Sequence, residues 1–142
     1  MISLDGSIEY PQHCIELSSD HFVVSHGTHD SFLQRVCKVD SSGRIIQSYG
    51  RFEGSDVEIL SNPRHLIVDK YGNVLVADSC NQRVVLLNSS LAHLGYIEVP
   101  ENKLKKPYAL YFDDLGHRLY IGENVSSGRV FVLDVYVPDL CL

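Results

Sequence analysis

Short apolar runs alternate along this chain with clusters of Gly, Asp, Asn and Ser, and no segment places apolar residues at helical spacing over a useful length. Phe22-Val23-Val24-Ser25, Val74-Leu75-Val76-Ala77 and Leu119-Tyr120-Ile121-Gly122 are rich in β-branched and aromatic residues and read as strands. The pattern also repeats. Gln34-Arg35-Val36-Cys37-Lys38-Val39-Asp40 returns as Gln82-Arg83-Val84-Val85-Leu86-Leu87-Asn88 and again as Gly128-Arg129-Val130-Phe131-Val132-Leu133-Asp134. Pro63, Asp69 and Gly72 return together as Pro107, Asp113 and Gly116, each displaced by the same 44 residues.

Each unit therefore reads as Pro, strand, Asp-x-x-Gly turn, strand, polar loop, Arg-led strand, turn and final strand. In the turns Gly72 and Gly116 can take positive φ, and the Asp69 and Asp113 carboxylates can accept from nearby backbone amides. Four antiparallel strands in a period of about 45 residues predict an all-β protein built of propeller blades. Blades fall at 11–50, 62–99 and 107–136, the last lacking its outer strand, within one domain over 1–142. Residues 1–10 read as the remnant of a preceding blade, a turn and final strand like that of Val39–Ile45. A closed ring takes roughly four to eight blades. About three units thus predict a partial propeller, the C-terminal half of a six-bladed ring, whose open first and last blades invite self-association.

The unit from Pro63 to Val84 resembles an NHL repeat: Pro before an apolar strand, Asp69 and Gly72 in the turn, Val74-Leu75-Val76-Ala77-Asp78, then Asn81-Gln82-Arg83-Val84. The third unit departs from that pattern with Glu123 in place of the Asp and an earlier Asn124, and the first has His26 at the Asp position. The resemblance covers about residues 11–136 and is closest to the propeller of NHL-containing tripartite-motif proteins. It implies a non-enzymatic module that binds a protein partner, the substrate-recruiting part of a ubiquitin-ligase type protein. Single-stranded RNA binding on the same rim is the alternative that the resemblance also implies.

Composition fits a soluble domain: 142 residues, 44 % apolar and 21 % charged, with a net charge of −6. No run approaches the roughly 18 apolar residues of a membrane span, and the first residues lack a charged start and apolar core, so a cytoplasmic protein without membrane contact is expected. Cys14, Cys37, Cys80 and Cys141 form no C-x-x-C pair and read as scattered reduced thiols.

The net charge averages two unlike rims. One carries Arg64, His65, Lys103, Lys105 and Lys106 on connecting loops and Asn81, Arg83, Asn124 and Arg129 between second and third strands. The other carries Asp20, Asp40, Asp69, Asp113, Asp114 and Asp134. The basic-leaning rim is the expected binding surface, with Tyr108 either stacking on a ligand or packing between blades. Asp78 with Arg83, and Glu123 with Arg129, end one strand and begin the next, so each pair should close its own hairpin as a structural ion pair. No G-x-S-x-G elbow, H-E-x-x-H or phosphate loop is present, and His26-Gly27-Thr28-His29 offers no third ligand at recognisable spacing. No catalytic residue, metal or cofactor is therefore expected. A fragment of a metal-dependent propeller lyase or lactonase, with Asp78 or Glu123 facing the channel, is the remaining alternative.

Overall fold

The structure, a computed structural model, describes residues 1–50, 59–113 and 117–135. Eleven strands among the described residues form three antiparallel sheets. The first joins β1 (Pro11–Ser18), β2 (His21–His26), β3 (Arg35–Asp40) and β4 (Ile45–Tyr49) in chain order. The second repeats it with β5 (Pro63–Val68), β6 (Val74–Asp78), β7 (Arg83–Leu87) and β8 (His93–Tyr96). The third has β9 (Pro107–Asp113), β10 (Arg118–Glu123) and β11 (Val130–Asp134). The prolines open β1, β5 and β9, and these three strands lie side by side as the inner strands of consecutive blades. Pro suits that place, since its missing N–H is needed least at the first residue of a strand. The three sheets are the blades of a partial β-propeller.

Hairpins of one design close the lower end of the blades. Asp40, Asp69 and Asn88 each accept two backbone amides through Oδ1, from Ser42 and Arg44, from Tyr71 and Asn73, and from Ser90 and Ala92. Three residues on, the chain turns left-handed at Gly43 (φ 81°), Gly72 (φ 83°) and Leu91 (φ 60°). That is a three-residue hairpin loop with its last residue in the region glycine tolerates best, and Leu91 holds it by burying its side chain in the core. Two acids of the acidic rim, Asp40 and Asp69, are thus spent on turns, and the amides of Arg44 and Ser42 hold the Asp40 carboxyl below its ordinary range. The equivalent loop of the third blade includes Gly116 and lies outside the described residues.

The core consists of layers between blades. Val23, Val36 and Tyr49 of the first meet Leu66, Val74, Val76, Val85 and Leu87 of the second. Leu75, Ala77, Val84 and Leu86 of the second meet Leu110, Leu119 and Ile121 of the third. Every position of β6 is buried, as expected of a strand covered on both faces.

The expected strand at the end of residues 1–10 does not form. Ile8 stands three residues before Pro11, as Leu60 and Leu104 stand before Pro63 and Pro107, and all three are buried, Ile8 against the first blade and Leu60 and Leu104 in the layers between successive blades. Residues 7–10 are therefore the connector into the first blade, and register relative to proline, rather than the turn-like Asp5-Gly6, reveals it. Two single-turn 3-10 segments, Ser79–Asn81 and Pro100–Asn102, were not expected either. Residues 51–58 and any outer strand for the third blade at 136–142, with Cys141, lie outside the described residues. Cys14 and Cys80 are exposed and Cys37 buried, all with free thiols, and burial raises the Cys37 thiol to about 11. Among the described residues no helix is long and apolar enough to cross a membrane.

Candidate functional site

At the upper end of each blade a recurring geometry joins the second strand, the third strand and the incoming connector. In the second blade the Asp78 carboxylate is fully buried and accepts from Arg83 Nε at 2.8 Å, from Asn81 and from the amide of Ser61. Arg83 Nη2 donates onward to the carbonyl of Ile59. In the third blade Glu123 accepts from Arg129 Nε at 2.7 Å and from the amide of Lys105, while Arg129 Nη2 donates to the carbonyl of Lys103. Counted back from the proline, Ile59 and Lys103 hold one position and Ser61 and Lys105 another. The acid–arginine pair is thus a clamp that fixes the connector of its own blade with one acceptor and one donor. Burial pushes the Asp78 carboxyl above its ordinary range against these bonds. Burial acts the same way on Glu123, but the bonds from Arg129 and the Lys105 amide outweigh it and hold that carboxyl low.

The first blade makes the clamp with a histidine. Arg35 Nε donates to His26 Nε2 at 3.1 Å, and His26 Nδ1 donates to the carbonyl of Glu9 at 3.3 Å. Where Ser61 and Lys105 present an N–H, Glu9 presents a C=O, so the position needs a group that accepts on one side and donates on the other. Neutral imidazole does both, which a carboxylate cannot. Burial, helped by the Arg35 charge, lowers the His26 pKa from 6.5 to about 4. The unfolded chain therefore takes up a proton near pH 6.5 that the folded chain refuses. Stability falls as pH drops from about 6.5 toward 4, by about 3 kcal/mol in all, and this contribution is flat below that window. Urea midpoints at pH 7 and pH 4.5 should show the loss in the wild type and a clearly smaller one in His26→Asn, which can accept and donate but does not titrate.

Of the candidate rim residues, Asn81, Arg83 and Arg129 are therefore occupied by clamps. Asn81 also donates to Ile59. His29 is exposed and bonds Asp30 at 3.2 Å, away from the enclosed His26, so the H-x-x-H segment does not converge. Among the described residues no group of three or more His, Cys, Asp or Glu is placed to hold a metal ion.

Arg64, His65 and Tyr108 come together elsewhere, at the upper ends of the inner strands. With Gln12, His13 and Ala109 they line a cavity of about 270 Å³. These are the first and second residues after Pro11, Pro63 and Pro107, so the three blades contribute equivalent positions around the channel mouth. Arg64 Nη1 donates to Gln12 Oε1 at 2.6 Å, its guanidinium lies 5.3 Å from the centre of the Tyr108 ring, and its carbonyl accepts from Ser25 Oγ. Tyr108 is 45 % exposed and joins two blades from the surface rather than from within. His13 Nδ1 accepts the amide of Leu66, and His65 Nδ1 accepts that of Leu110, so one bond recurs at both blade junctions. Their rings meet edge to face at 4.0 Å. Burial lowers both pKa values, which keeps the rings neutral. Gln12 and His13 escaped the sequence reading because neither belongs to a charge motif; their offset from Pro11 was the available signal.

The lysines form a neighbouring feature. Lys103, Lys105 and Lys106, with Gln82, Leu104 and Val125, line an open depression of about 510 Å³. Lys103 pairs with Glu101, and Gln82 accepts the amide of Lys106. Asn124 is exposed beside them, its amide donating to the carbonyl of Lys106.

No protein-family model matches the sequence, and no curated protein matches it. Solved structures match in fold. A streptogramin B lyase shares 16 % identity with a TM-score of 0.59 over 93 % of this chain and 43 % of its own. A candidate exported protein from Bacteroides fragilis NCTC 9343 shares 16 % identity with a TM-score of 0.67 over 94 % of this chain and 37 % of its own. The chain thus spans less than half the length of either. At such identity the likeness establishes the β-propeller fold alone.

Proposed function

We propose that this chain is a non-enzymatic interaction module, part of an NHL-type propeller whose loop-bearing rim binds a protein partner. The observation that carries the reading is the channel mouth, where three blades converge an arginine, a tyrosine and two neutral histidines on one solvent-open cavity. Arginine and tyrosine are the residues that most often anchor protein partners. The acids that channel chemistry would require, Asp78 and Glu123, are enclosed beneath their own arginines. The lyase reading therefore rests on fold likeness without a free acid in either clamp. For RNA, Lys103 is already paired, and Lys105 and Lys106 alone make a short track for a phosphate backbone. The reading extends to a cytoplasmic, tripartite-motif-like protein in which this module recruits the substrate.

A photo-crosslinking amino acid tests it. Placed at position 108 or 124 on the upper rim it should yield a discrete protein adduct in cells, whereas at position 71, exposed on the lower rim, it should not. Equal labelling at all three positions, or none at the upper two, would overturn the proposal.

A further inference from the structure

We infer that the channel-mouth cavity binds a carboxylate side chain of an acidic peptide, with Arg64 as its anchor; this rests on the partner-binding reading and adds the chemistry recognised. Arg64 is the exception among the described arginines. Arg44, Arg83, Arg118 and Arg129 each face a carboxylate, and Arg35 donates to His26 and Ser7. The Arg64 guanidinium makes one bond among the described residues, from Nη1 to the neutral amide of Gln12. Its Nε is buried and has no acceptor among the described residues. The guanidinium charge thus has no anionic partner of its own among the described residues, and an anion on Nη2 would supply one.

Geometry selects the kind of anion. With Nη1 held by Gln12 and Nε enclosed by the protein, Nη2 is the guanidinium donor left for a ligand, and a carboxylate can take it with one oxygen while the other faces the neighbouring donors. Gln12, the Tyr108 ring and the bond from Ser25 to the Arg64 carbonyl hold the guanidinium in place before any ligand arrives. His13 and His65 each spend Nδ1 as an acceptor, so each neutral ring carries its proton on Nε2, and both rings line the same cavity. Two further N–H donors therefore border the space beside Arg64. At about 270 Å³ the cavity is smaller than the roughly 300–1,000 Å³ of pockets for drug-sized ligands, and it suits one side chain better than a nucleotide.

Nitrogen-15 NMR of the full chain reads the Arg64 Nε–H directly, and the Leu66 and Leu110 amides report on the two histidines. Titration with Ac-Gly-Glu-Gly-NH₂ should shift all three saturably and leave the Nε–H signals of Arg83 and Arg129 in place. Ac-Gly-Gln-Gly-NH₂ should shift none of them. In Arg64→Gln and Arg64→Lys the Leu66 and Leu110 shifts should require at least tenfold more Glu peptide. No shift with the Glu peptide, or an equal response to the Gln peptide, would overturn the inference. A shift with inorganic phosphate but not with the Glu peptide would overturn it in favour of a phosphoryl ligand. If the Glu peptide fails while the crosslink at position 108 still captures its protein, the partner-binding reading stands and the carboxylate anchor alone falls.

Discussion

Replacing Asp78 with alanine is expected to lower the unfolding free energy by about 3–5 kcal/mol, the loss typical when one member of a buried ion pair is removed. The carboxylate is fully buried and serves three donors: the Ser61 amide, Asn81 Nδ2 and Arg83 Nε. Without it the Arg83 guanidinium keeps, among the described residues, the Ile59 carbonyl and the Tyr96 hydroxyl as acceptors, and the Ser61 amide loses the Asp78 carboxylate. Asp78→Asn preserves shape and one acceptor oxygen and should fall between the two. Glu123→Ala should lose roughly half as much, because the Arg129 side chain is 42 % exposed against 26 % for Arg83, and water can replace the missing partner. Urea unfolding followed by circular dichroism orders the variants. An Asp78→Ala protein within 1 kcal/mol of the wild type would mean that the pair is not a clamp, and a ligand-facing role for Asp78 would then have to be reconsidered.

That clamp also shows why part of the molecule was legible in the sequence. Pro63, Asp69, Gly72, Asp78 and Arg83 each perform a local task with few chemical solutions: opening a strand, capping a turn, taking positive φ, pairing across a loop. Such positions recur in the letters, and blade number and strand order followed from them. Where a task admits several solutions the letters diverge while the geometry persists. His26 replaces an acid because the Glu9 backbone offers a carbonyl, and Leu91 stands where glycine does in the sister hairpins. The channel mouth was half visible for the same reason. Arg64, His65 and Tyr108 were candidates through charge and aromaticity, yet nothing short of three-dimensional placement separates them from Arg83 and Arg129, equally basic and already bonded. Gln34 and Gln82, which accept the amides of Asn62 and Lys106 across the two blade junctions, carry no charge and no motif at all.

The second large effect concerns the outer face of the third blade. The rows Ala109–Gly122–Val130 and Tyr111–Tyr120–Val132 run across β9, β10 and β11 on the side away from the second blade. Tyr111 is 64 % exposed, Val130 63 % and Val132 52 %. In the second blade the corresponding residues Ile67, Leu75, Ala77, Val84 and Leu86 are packed against the third. The repeat thus prescribes a further blade against this face. The 142-residue chain by itself is expected to take that blade from a second copy and sediment as a dimer. Two three-bladed arcs related by a two-fold axis along the channel would present the same junction twice. Burying three such side chains contributes several kcal/mol per junction at about 1.5–3 kcal/mol each. Val130→Lys with Val132→Lys should halve the mass measured by sedimentation equilibrium while shifting the monomer's own stability little, because both residues already face water. A wild-type chain that stays monomeric at about 100 μM, well above the dissociation constant such a junction implies, would refute the pairing. In a longer chain carrying its own next blade the same substitutions would leave the mass unchanged and lower the unfolding midpoint instead, so the two sources of the missing neighbour give opposite readouts from one pair of mutations.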